Sequence, residues 1–418
     1  MPPQFTAPIA RRNFLEAVGG IAVGGLAVAR RSHAADAAAD PLPAIERKMN
    51  EFVLDRMVDQ DGLVRSCLCA ATLAPWTNAD LEASGQPKVI DMFKNHPDRA
   101  GCLTYENSLM ATGEYAVSQI VRHRVTGEEA ARERAHRAVR AILAVIEEGR
   151  HYMPGWLPKP FCGLAKARNS HEMSTDQYTK ALVALDAWLP LATADERKTI
   201  ERFFIDAADF FVARDWKFAY RHRTIVTADT HLHALGLYVP LAALAARASG
   251  NAAYLKELSR FDKAMTRATE APELANFNIT SLMGEGYAAA IAAGLLDPRV
   301  PQTIQHVWRL GEARIDATGR AILASQSPLR QSSGNPEADA KRPAVTDWEA
   351  PRLAAIAPLV PGGDEAVRRG RLALAAKILG AYDDPAVMTH ADLTKCIAEV
   401  GITSWLVGYW RLREAGRA

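Results

Sequence analysis

Three short stretches of this sequence bring together residue types that could do chemistry. In Ser174-Thr175-Asp176-Gln177-Tyr178-Thr179 a carboxylate lies beside an amide and a phenol. In Asp229-Thr230-His231-Leu232-His233 a second carboxylate stands two residues from an imidazole. In Met283-Gly284-Glu285-Gly286-Tyr287 a third sits between glycines. A protonated and an ionised carboxyl working as a pair are the usual equipment of general acid–base catalysis. Asp176, Asp229 and Glu285 are therefore the candidate catalytic carboxyls, and His231 would orient one of them or hydrogen-bond a substrate hydroxyl. Asp176 is the first choice for the acid, since burial against aromatic rings raises a carboxyl. A helix N-terminus favours the carboxylate instead, which would make Asp176 the ionised partner.

Aromatic and polar neighbours narrow the substrate class. Gln177, Tyr178, Tyr287, Asp347 and Trp348 surround the carboxyls in sequence, and Trp156, Lys159, Trp216 and Arg221 sit in two loop-like stretches that mix rings with cations. A sugar presents a C–H face to an aromatic ring and hydroxyls to carboxylates, and a cation suits an acidic sugar. The rival chemistries are weakly supported. His231 and His233 would share a face on a strand, but this stretch reads helical, where i and i+2 point about 200° apart. No Gly-x-Ser-x-Gly elbow or Gly-x-Gly-x-x-Gly fingerprint is present, so neither a serine nucleophile nor a bound nucleotide is expected. The expectation is no metal and no cofactor.

These residues need a scaffold, and the hydrophobic pattern supplies one. Apolar residues recur at helical spacing in twelve segments, about 42–60, 104–125, 128–148, 174–192, 194–213, 229–249, 251–270, 278–295, 301–316, 347–358, 363–380 and 392–415. Short glycine-containing joints alternate with long ones, which pairs the helices as antiparallel hairpins. Successive inner helices would start about 58 residues apart, within the range of a helix-pair repeat. The fold predicted is all-α, a six-hairpin (α/α)6 toroid over 41–416. In such a ring the inner helix N-termini and long loops form one funnel, where the candidate carboxyls, His390 and Asp392 would gather.

Composition agrees with a large soluble body. The 418 residues are 49% hydrophobic and carry 50 Lys+Arg against 48 Asp+Glu. A net charge of +2 lacks the footprint of a nucleic-acid binder. Residues 1–34 read as an export signal: Arg11-Arg12-Asn13-Phe14-Leu15, an uncharged run from Ala17 to Ala29, and Ser32-His33-Ala34 as a cleavage site. That run is too short to span a bilayer, which takes about 20 residues. The expectation is twin-arginine export to the periplasm or beyond, leaving a mature chain with no membrane span. The five cysteines match no zinc or haem spacing; Cys67 or Cys69 could pair with Cys102, or all could be buried thiols.

Pro154-Gly155-Trp156-Leu157-Pro158-Lys159-Pro160 followed by Ser174-Thr175-Asp176-Gln177-Tyr178-Thr179 resembles a segment of bacterial α/α-toroid carbohydrate enzymes. The resemblance is to the β-glucuronidase-type glycoside hydrolase family 154, and more distantly to unsaturated glucuronyl hydrolases and toroid polysaccharide lyases. It spans about 25 residues and differs in carrying Lys159 where an Arg is expected. It implies an acidic active-centre position at Asp176 and a substrate that is an oligosaccharide or polysaccharide containing uronic acid. The implied activity is hydrolysis. The alternatives are β-elimination, with His231, Tyr178, Tyr287 and Asn278 as the proton-handling set, and a non-catalytic glycan-binding protein on the same ring.

Overall fold

The computed structural model describes residues 40–84, 93, 95–220, 224–325, 327–329, 336–388 and 396–416. The export segment 1–34, Arg221, His390 and Asp392 lie outside the described residues. Contacts divide the chain after Asp40, and all described elements belong to the unit Pro41–Ala418.

Among the described residues twelve main helices alternate between an outer and an inner position. The first half holds α1 (Leu42–Phe52), α2 (Ser108–Thr126), α3 (Glu129–Arg150), α4 (Thr175–Trp188), α5 (Ala194–Val212) and α6 (Leu235–Ser249). The second half holds α7 (Asp262–Ala268), α8 (Phe277–Ala292), α9 (Arg299–Glu312), α10 (Pro351–Ile356), α11 (Glu365–Ala381) and α12 (Glu399–Ala415). The even-numbered helices are the inner ones. Each packs on the next, from α2 to α4, α6, α8, α10 and α12, and α12 packs back on α2. The ring is closed, as the alternation of loop lengths predicts.

The outer helices bury one stripe. In α9 the buried set is Val300, Thr303, Ile304, Val307, Trp308 and Gly311, the i, i+3, i+4 spacing of an amphipathic surface helix. Thr193 and Glu196 cap α5 reciprocally, each side chain accepting from the other's backbone N–H. The inner helices are buried nearly all round. Helix α6 is buried without a break from Leu235 to Ala245. The window Leu232–Ser249 is long and apolar enough to cross a membrane, yet it is 72% buried in the protein and serves as a core helix. Within it Pro240 removes a backbone donor to Gly236, and Gly286 of α8 comes so close that a Cβ there would collide with the Gly236 carbonyl oxygen. The glycine in Gly284-Glu285-Gly286 thus permits helix contact.

Several boundaries differ from expectation for local reasons. Helix α6 starts at Leu235 rather than near 229, because Asp229 and Thr230 form a turn closed by His231 N–H to the Thr227 carbonyl (2.9 Å) and Leu232–Ala234 a 3-10 turn. The inner helix expected from 104 is split into a short helix Arg99–Thr104, a turn, and α2. Strands are short: β1 (Cys67–Cys69), β2 (Ala74–Pro75), β3 (Phe218–Tyr220), β4 (Thr224–Val226), β5 (Ile322–Leu323), β6 (Val345–Thr346) and β7 (Cys396–Ala398). β1 pairs antiparallel with both β2 and β7, and β3–β4 forms a hairpin in the long connection before α6.

Candidate functional site

The N-terminal ends of α4, α6 and α8 meet under the β3–β4 hairpin and enclose a cavity of about 420 Å³. Asp176 lies in the first turn of α4, and Ser174 Oγ and the Gln177 N–H (2.9 Å) both donate to its Oδ1. His231 and His233 come from the turns before α6, Asn276 and Asn278 from the start of α8, and Tyr220 from the hairpin. Strand alternation sends Tyr220, Thr224 and Val226 into this cavity. Ala219 and Ile225 face the other way, into a second hollow of about 710 Å³ shared with Tyr152, Trp156, His171 and Arg214.

Charge around the cavity is specific. The rings of His231 and His233 meet edge to face, 5.6 Å apart, and His231 Nδ1 lies 2.8 Å from Thr230 Oγ1. Burial first, then His231, pushes the His233 imidazole down to about 4, with Asp176 opposing. His233 is therefore neutral at pH 7. Behind Asp176, Lys159 is buried, with Nζ 2.6 Å from Glu106 Oε1 and 3.2 Å from Glu172 Oε1. Burial alone would lower that ammonium, but Glu106, Tyr220 and Glu172 hold it above the ordinary lysine range. Behind Asn278, outside the cavity lining, the buried Arg352 donates from Nη1 to Asn278 Oδ1, and its Nε lies 3.9 Å from Glu349 Oε1. Burial raises the Glu349 carboxyl to about 7, with Asp347 adding and Arg352 opposing. Glu349 is thus a carboxyl that keeps a proton near neutrality.

No protein-family model and no curated protein sequence matches the chain. Solved structures do. An inactive variant of the α-1,6-mannanase GH76A of Salegentibacter sp. HEL1_6, in complex with α-1,6-mannotriose, superposes with a TM-score of 0.50 at 8% identity, over 90% of this chain and 99% of that one. A second inactive variant, in complex with α-1,6-mannotetrose, gives 0.51 at 9% identity over the same shares. A polysaccharide lyase gives 0.47 at 10% identity, over 79% of this chain and 98% of the other. The fold is an (α/α)6 toroid.

The toroid brings some of the expected site residues together and commits others to structure. Asp176 and His231 line the cavity. Asp229 does not: it is exposed, and its carbonyl oxygen accepts from Arg267 Nη2 (2.9 Å). Glu285 lies deeper in the ring, with Oε1 2.7 Å from Lys180 Nζ and Oε2 3.3 Å from Arg411 Nη2. Burial would raise it, but Lys180 and Arg411 outweigh burial and hold it at about 2. With Glu114 also 3.0 Å from Lys180 Nζ, this is a charge-balanced plug of the ring interior and no acid catalyst.

The expected binding residues divide in the same way. Gln177 spends both ends of its amide at the start of α2, accepting from Leu109 N–H (3.3 Å) and donating to the carbonyl of Glu106 in the preceding turn (2.8 Å). Tyr178 points outward, donating to the Gly155 carbonyl (2.7 Å) and accepting from Leu157 N–H (2.6 Å), so it clamps the Pro-Gly-Trp loop. Tyr287 is fully buried. Trp216 packs between Phe211, Tyr238 and Phe261 in the outer layer, with Nε1 3.2 Å from Glu257 Oε2. Asp347 is buried and ion-paired with Arg314. Trp348 is buried with Met110 and Leu323. Trp156 lines the second hollow, across the hairpin from Asp176. Lys159, paired with two carboxylates, is no free cation for an acidic sugar.

Two lining residues, His233 and Asn276, are not among the expected site residues, nor are Arg352 and Glu349, which stand behind the lining through Asn278. A helix from 229 would turn His233 away from His231, whereas the 3-10 turn Leu232–Ala234 brings both to the cavity. Glu349 and Arg352 follow Asp347-Trp348 directly, but nothing in their spacing marks them as facing the ring interior.

Proposed function

We propose that this toroid is an exported glycoside hydrolase of the family-154 type, acting on oligosaccharides or polysaccharides that contain uronic acid. The observation that carries the reading is the 420 Å³ cavity at the inner helix starts, where Asp176, His231, His233, Tyr220 and two asparagines converge. Its size suits a small ligand, and its polar groups suit hydroxyls. The two mannanase structures carry mannose oligosaccharides on the same fold, which favours a glycan substrate in general and leaves the sugar to the residues here. Asp176, held at the cavity by Ser174 Oγ and the Gln177 N–H, serves as one catalytic carboxyl, and Glu349, the carboxyl raised to about 7 beside Arg352, is the candidate proton donor. Arg352, reaching the wall through Asn278, takes over from Lys159 as the cation that favours a uronate.

One observation favours a second reading. Among the described residues a single carboxylate lines the cavity, beside a neutral His233 and Tyr220, a set able to take the proton α to a uronate carboxylate and eliminate across the bond. Both readings are tested by incubating the protein with uronate-containing and neutral oligosaccharides and analysing products. Hydrolysis gives saturated reducing ends, whereas elimination gives the ultraviolet absorbance of an unsaturated uronate. Asp176→Asn should lower turnover at least ~10²-fold while binding stays measurable. Turnover confined to neutral sugars, or undiminished in Asp176→Asn, would remove the proposal.

A further inference from the structure

Two long loops at the mouth of the ring bring together three soft or borderline ligands from distant parts of the sequence. Cys102 is buried in the short helix Arg99–Thr104, and Cys162 lies in the connection before α4. Their sulfurs stand 3.9 Å apart. One ring nitrogen of His96 and both sulfurs lie within 4.8 Å of one another. A disulfide needs its sulfurs about 2.05 Å apart, whereas two thiolates on one tetrahedral zinc, each at about 2.3 Å, stand about 3.8 Å apart. The observed spacing is that of the zinc edge.

The backbone is arranged to hold this cluster. Cys162 adopts φ +62°, a left-handed conformation that is unfavourable for a residue with a side chain. The Asp98 carbonyl oxygen lies 3.6 Å from Cys162 Sγ and 3.0 Å from His96 Nδ1, so one peptide unit ties two of the three ligands. Gly101 leaves the space they occupy: a Cβ there would stand 2.9 Å from Cys162 Sγ and collide with the Asp98 carboxylate.

We propose that Cys102, Cys162 and His96 form a site for a thiophilic divalent cation, Zn²⁺ by ligand type, that staples the loop before α2 to the loop before α4. Cys₂His with one open position for water is an established zinc donor set. Binding expels the two thiol protons, so the site carries no net ionic charge. The site is independent of the glycan reading, since none of its residues lines the cavity beside Asp176.

Co²⁺ titration of the full chain, reduced with a non-chelating phosphine, reads the site directly. One equivalent should develop the thiolate-to-cobalt charge-transfer band and the visible bands of a tetrahedral centre, and Zn²⁺ should bleach both. The band should vanish in Cys102→Ser and in Cys162→Ser, weaken in His96→Ala and persist in Cys67→Ser. Circular dichroism of each variant separates loss of the ligand from loss of the fold. Absence of the band in the reduced wild-type chain, its persistence when both cysteines are replaced, or a Cys102–Cys162 cross-link found by mass spectrometry in the purified native protein would each overturn the proposal.

Discussion

Glu285→Gln separates a structural from a catalytic carboxyl, because the two roles predict opposite readouts. Its carboxylate is held at about 2 by Lys180 and Arg411 against an ordinary 4.5. The difference corresponds to about 3 kcal/mol of stability at pH 7. A depressed carboxyl contributes fully above its unfolded value, so the contribution is complete above about pH 5, falls to about 1 kcal/mol at pH 3 and is lost below 2. Glutamine nearly conserves shape but leaves Arg411 without its carboxylate and Lys180 with Glu114 alone. Loss of one partner of a buried pair costs about 3–5 kcal/mol, consistent with that figure. Urea denaturation of both proteins at pH 7 and pH 3 should therefore show a gap of about 3 kcal/mol that narrows to about 1 kcal/mol. A stable variant with no turnover would refute the reasoning and return Glu285 to the catalytic set. A gap that does not narrow with acid would refute the ion-pair account of its stability.

Glu349, raised to about 7, should act as an acid up to neutrality, so turnover falls as pH rises through 7; Glu349→Gln should be slower and lose that limb in a pH–rate profile. The same raised value stabilises the fold below pH 4.5 and is lost as pH passes 7, so the variant's stability relative to wild type should improve with rising pH. Tyr178→Phe removes the clamp on Leu157 and Gly155 and should cost about 1–3 kcal/mol in denaturation with KM unchanged. Gly286→Ala should destabilise by about 1–3 kcal/mol by pushing α8 off α6, measured the same way. Replacing Arg11-Arg12 by Lys-Lys should leave the protein in the cytoplasm on cell fractionation; unimpaired export would remove the twin-arginine assignment.

The sequence by itself determined the architecture, because the relevant signals are local. Stripes such as Val300, Ile304, Val307 and Gly311 mark outer helices, and glycines at 127 and 250 mark tight inner-to-outer turns. The alternation of those turns with long connections is enough to imply a ring of hairpins, and Asp176 and His231 stand out because they sit at inner helix starts. What only the tertiary structure decided is which polar side chain faces the cavity. An inner helix is buried on every side, as α6 is from Leu235 to Ala245, so its apolar pattern has no stripe to separate the ring interior from the outer layer. Asp176 and Tyr178, two residues apart, therefore look equivalent in sequence while one faces the cavity and the other clamps a loop. Glu285 stands out in sequence and Glu349 does not, yet folding sets Glu285 between Lys180 and Arg411, which lower its carboxyl, while burial raises that of Glu349. The proximity of Cys102, Cys162 and His96 is likewise a product of folding, since ligands split between two long loops leave no spacing to read.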